Sequence, residues 1–119
     1  MMYSFSFTFF VTTEKRRRVD EKRLENLSDE LMHAMLERET DLAFDSSVGA
    51  ILTAGEVDID LSVKAGNEIA AAATARDFVI QSIRATGGTP IGIFVFPPSK
   101  PRKTPRQEWH ERKAELTTA

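Results

Sequence analysis

The N-terminal segment alternates hydrophobic and polar positions with a period of two. Over residues 3–11, aromatic and aliphatic side chains occupy the odd positions and mostly hydroxyl side chains the even ones. Residues 56–64 alternate in the same way, with aliphatic residues at odd positions and Glu56, Asp58 and Asp60 at even positions. Successive side chains of a strand point to opposite faces. Both segments are therefore predicted to be strands with one buried and one polar face.

Two other segments show the period of amphipathic helices. The first is predicted to start at residue 19 or 20 and to end at residue 38, because its leucines recur at spacings of three and four. The second covers residues 68–85, and Gly87-Gly88 is predicted to end it. The residues of the second helix predicted to face the core are Ile69, Ala72, Ala73, Val79, Ile80 and Ile83.

Two more strands complete the predicted fold. Residues 48–53 pair as a hairpin with residues 56–64, and residues 91–96 form the last strand. The order strand, helix, strand, strand, helix, strand resembles the ferredoxin-like plait, and the resemblance covers residues 3–96. It implies an α+β fold with a four-stranded antiparallel sheet, in the order fourth, first, third, second, and two helices on one face. Since many unrelated proteins share this fold, it implies no function.

Charge and proline content change together near Phe96. Residues 1–96 carry 10 Lys and Arg against 15 Asp and Glu, a net −5, whereas residues 97–119 carry 6 against 3, a net +3. Four of the five prolines also lie after Phe96. We therefore predict a self-sufficient domain over 1–96 and a Pro-rich basic tail over 97–119, either disordered or forming a short helix from about Pro105 to Leu116.

The composition excludes several classes of protein chemistry. The chain has 119 residues and no cysteine, so disulfides, thiolate metal sites and cysteine nucleophiles are excluded. The lack of cysteine fits a reducing compartment, and a cytoplasmic location is expected. No apolar run approaches the roughly 20 residues that a membrane helix requires. Because no catalytic, cofactor or metal motif accompanies His33 or the carboxylates, a non-enzymatic role is favoured.

The open face of the predicted sheet offers one candidate for partner binding. Asp58 and Asp60 make this face acidic, and they repel phosphate where RNA readers of the same fold stack bases on aromatic side chains. Phe10 interrupts the polar surface, and an exposed aromatic residue on a sheet is typical of an interface. We therefore predict a homodimer through the open face. The alternative is that Phe10 packs under the tail or a helix end.

The tail and the first loop provide the other candidates. Trp109 and Leu116 lie on the apolar side of the predicted tail helix and are expected to dock into a groove on the same domain, a dimer mate or another protein. Basic side chains provide candidate phosphate contacts, and the carboxylates flanking the loop weaken their field. These basic residues are Lys15, Arg16, Arg17, Arg18, Lys100, Arg102, Lys103 and Arg106.

Together these features predict a small non-enzymatic protein-interaction module. It is expected to self-associate through its sheet and to use the basic, tryptophan-containing tail for a partner. One alternative is a nucleic-acid-associated regulator whose tails bind weakly and without sequence preference. Another is an enzyme whose site forms at a subunit interface.

Overall fold

The computed structural model describes residues 1–13, 15, 17–91 and 107–117. Two helices and five strands are present in these ranges, so the predicted α+β class is confirmed. In chain order the elements are β1 (Met2–Thr13), α1 (Glu21–Arg38), β2 (Ala43–Ile51), β3 (Glu56–Lys64), α2 (Glu68–Ala85), β4 (Gly88–Ile91) and β5 (Gln107–Thr117).

The described strands form one mixed sheet in the order β2-β3-β1-β5-β4. β1 pairs antiparallel with both β3 and β5, β2 pairs antiparallel with β3, and β4 pairs parallel with β5. The predicted neighbours β2, β3 and β1 are present in the predicted order. The four-stranded antiparallel plait is not confirmed, because β5 lies between β1 and β4 and changes both the strand count and the strand order.

The C-terminal segment is a strand where the sequence predicted a short helix or disorder. Gln107–Thr117 is β5, and its first residues alternate between buried and half-buried positions. The helix-capping pattern around Pro105 is a weak local preference, whereas a strand between β1 and β4 forms backbone hydrogen bonds on both sides. Residues beyond the predicted boundary at Phe96 therefore share a sheet with residues before it. Residues 92–96 of the predicted last strand lie outside the described ranges.

The core lies between the sheet and the two helices, and the C-terminal strand contributes its largest side chain. Trp109 is fully buried. Its ring meets Phe9 edge to face, with ring centroids 6.2 Å apart and planes at 71°. Gly88 lies directly against the indole, since a Cβ there would be 2.6 Å from Trp109 Cδ1 and 3.1 Å from Ile83 Cγ2.

Both helices begin at a capping side chain. The carboxylate of Asp20 accepts a hydrogen bond from Arg23 N at 2.9 Å, and Asn67 Oδ1 accepts one from Ala70 N at 2.8 Å. α2 begins at Glu68 as predicted, and α1 begins at Glu21, one residue after the later of its two predicted starts.

The predicted core side of α2 is wrong for its first half. Ile69 is 84% exposed, and Ala72 and Ala73 are exposed as well. The helix instead buries a neighbouring face that includes Phe78, a bulkier side chain than the alanines of the predicted face. The buried residues of α2 are Ala71, Ala75, Phe78, Val79, Ser82 and Ile83.

Deleting residues 107–119 should abolish cooperative unfolding. The deletion removes a strand from the interior of the sheet together with Trp109, and a domain has only about 5–15 kcal/mol of stability to lose. This reverses the expectation that the tail is dispensable. Thermal melts followed by circular dichroism measure the effect, with deletion of residues 118–119 alone as the control. A chain ending at residue 106 that melts like the full chain would contradict this assignment of β5.

A second prediction tests the contact between Gly88 and Trp109. The methyl group of Gly88→Ala has no room against the indole, so we expect a loss of about 1–3 kcal/mol in the free energy of unfolding. Gly49→Ala is the matched control, because nothing lies within 4 Å of a Cβ at that position. Chemical denaturation of both variants measures the difference. Equal stabilities would show that Trp109 does not pack against β4.

Candidate functional site

The fifth strand makes the sheet wider than the two described helices can cover. A helix is about 10 Å across and strands lie about 4.8 Å apart, so two helices cover about four strands. A groove consequently remains between α2 and β5, which we call the α2–β5 groove. Its floor consists of Phe5, Phe7 and Phe9 of β1.

An ion pair crosses the middle of the α2–β5 groove. Arg76 Nη1 of α2 lies 2.5 Å from Glu111 Oε1 of β5, and the two side chains are 25% and 11% exposed. The guanidinium carbon of Arg76 also lies 5.8 Å from the centroid of the Phe7 ring, within range of a cation–π interaction. Arg76 and Glu111 carry opposite charges, so this pair adds no net charge to the centre of the groove.

Ala72 and Leu116 line the same groove, and further exposed apolar side chains lie on the adjoining part of α2. Ile69 and Ala73 are exposed on α2, and Leu116 is 38% exposed on β5. On α2 these residues belong to one side of the helix, which we call the lateral face, because their spacings of three and four place them together. The lateral face comprises Ile69, Ala72, Ala73, Arg76 and Ile80. Clustered exposed apolar residues of this kind are typical of interaction surfaces.

The open face of the sheet is polar and forms hydrogen bonds within the chain. Thr8 Oγ1 donates to Asp58 Oδ1 at 2.8 Å, and Ser6 Oγ donates to Asp60. The acidic row of β3 is thus bonded to the hydroxyl row of β1. Among the described residues, no group of three or more histidine, aspartate or glutamate side chains is placed to hold a metal ion.

Phe10 is half-buried on this open face by side chains of the C-terminal strand. The Arg112 guanidinium carbon lies 4.9 Å from the Phe10 ring centroid, and the His110 ring centroid lies 6.5 Å from it. His110 Nε2 in turn lies 3.0 Å from Thr12 Oγ1. The packing of Phe10 against residues from the predicted tail corresponds to the alternative considered for this side chain.

Both edges of the described sheet carry features that discourage strand pairing with another chain. On β2, the pairing register shifts between Phe44 and Ser47, and Asp45 has a φ of 53°. Glu39 Oε1 accepts a hydrogen bond from Ser46 N at 2.8 Å. At the other edge, β4 has four residues and includes Pro90, which lacks an N–H. Bulges, short strands and prolines are common protections of sheet edges.

The two predicted partner-binding residues of the tail have different surroundings. Trp109 is fully buried in the core of its own domain, so its indole is not available to a partner. Leu116 is partly exposed beside the α2–β5 groove. Of the three docking sites considered for Trp109, the structure contains the one on its own domain.

The predicted phosphate contacts are only partly described. Lys15 and Arg17 are exposed. The Arg18 guanidinium instead donates to Leu52 O at 3.4 Å and to Thr53 O, and thereby holds the first loop against the β2–β3 turn. This use of Arg18 is structural. The remaining predicted contacts, which lie outside the described residues, are Arg16, Lys100, Arg102, Lys103 and Arg106.

The sequence analysis missed Arg76 and Glu111. Arg76 is the one charged residue in the lateral face of α2, which was taken to face the core. Glu111 has the same strand parity as Trp109, so a strand over 107–117 would have placed it on the core side of the sheet. Without a strand at residues 107–117, neither the position of Arg76 on α2 nor the parity of Glu111 indicates that the two side chains meet.

Comparison with known proteins adds no assignment for this site. No family model, curated protein or solved structure matches the chain. Neither of the helices in the described ranges has the length and apolar character needed to span a membrane. The function is therefore argued from the geometry of the surface.

Glu111→Ala should lower the free energy of unfolding by about 1–3 kcal/mol. The substitution removes a carboxylate that lies against a partly buried guanidinium, and truncating one side of a partly buried ion pair costs the attraction and hydrogen bond that offset desolvation of the other side. Glu115→Ala is the matched control on the same strand, because its partner Lys113 and its own side chain are 60% and 52% exposed. Such exposed pairs contribute about 0–1 kcal/mol. Denaturant titrations that gave equal losses for both variants would contradict the described geometry of the groove.

Proposed function

We propose that this protein is a non-enzymatic interaction module that acts by self-association. The observation that supports this proposal is the exposed lateral face of α2 beside the α2–β5 groove. It combines Ile69, which is 84% exposed, with the exposed side chains of Ala72 and Ala73. Burying this apolar surface against another protein removes it from water, which is the main driving force of association.

The structure favours the helical side over the open face of the sheet for this contact. The open face has carboxylates bonded to hydroxyl groups, and Phe10 is already half-buried by Arg112 and His110. The described sheet edges are blunted by a bulge and by a proline. We therefore place the proposed self-association on the lateral face of α2 and no longer on the sheet.

The chemistry of the α2–β5 groove supports a binding role more than a catalytic one. The residues that line it include no histidine, lysine or hydroxyl side chain in the described part of the chain. Its central charges, Arg76 and Glu111, hold each other. Two further carboxylates, Glu68 and Glu115, line the groove and are groups of the kind used in general acid–base catalysis. Nucleophilic catalysis needs an activated nucleophile, and the described lining places no serine, threonine, histidine or lysine beside these carboxylates.

Binding through the tail requires a different interpretation from the one based on sequence. Trp109 is buried, so the proposed module does not present a tryptophan to a partner. The basic residues of the segment 97–106 remain a proposed secondary contact for acidic partners. No contact among the described residues supports nucleic-acid binding, and the structural use of Arg18 removes one predicted phosphate contact.

Light scattering coupled to size-exclusion chromatography tests the proposed self-association. The full chain should elute with twice its 13.3 kDa mass, whereas Ile69→Arg should shift it to the monomer while unfolding remains cooperative, with a melting temperature lowered only by the lost association. Leu42→Arg is the matched control, because Leu42 is an apolar residue that is 59% exposed elsewhere on the surface. A full chain that is monomeric at about 0.1 mM, where a complex with a micromolar dissociation constant would be dimeric, would contradict the proposal.

A further inference from the structure

We draw no further inference here: the strongest candidate, the exposed apolar surface that Ile69, Ala72 and Ala73 form on α2 beside the α2–β5 groove, carries none because nothing in the described residues shows what covers it.

Discussion

The burial of Trp109 between β1, β4 and α2 is the contact on which the rest of this structure depends. This burial fixes the C-terminal strand inside the sheet. The Trp109 indole packs edge to face against Phe9, and it fits against β4 because Gly88 has no side chain. A buried aromatic side chain of this size contributes several kcal/mol, a substantial part of the stability of a small domain. The insertion of β5 also separates β1 from β4, which a four-stranded plait would have paired directly.

The inserted strand changes the surface as well as the core. The two described helices, which would cover a four-stranded sheet, leave the α2–β5 groove beside a five-stranded one, with a buried aromatic floor and an exposed end at Leu116. The Arg76–Glu111 ion pair spans this groove and joins α2 to β5. The same ion pair therefore accounts for both the attachment of the helix to β5 and the neutral centre of the groove. The proposed contact surface is a geometric consequence of the fifth strand.

The lateral face of α2 shows how one helix can serve two packing surfaces. Alanines occupy much of its first half, and bulkier residues are concentrated in its second half. The larger residues Phe78 and Ile83 set the orientation against the sheet and α1, because they have the most apolar area to bury. Ile69 and Ala72 then remain outside. A hydrophobic pattern on both sides of one helix is consistent with burial in an assembly, and this is the basis of the proposed dimer.

The sequence alone determined the elements whose pattern is strong and local. Alternation predicted β1 and β3, helical spacing predicted α1 and α2, and the bounds Glu56–Lys64 and Glu68–Ala85 match the structure. Tertiary structure decided the rest. Residues 107–117 have a helix-start pattern and weak alternation, so only the vacant position between β1 and β4 makes them a strand. Similarly, α2 has two apolar sides, and periodicity by itself could not choose which side faces the core. Arg76 and Glu111 meet only because of both decisions, since their pairing depends on contacts between segments 35 residues apart.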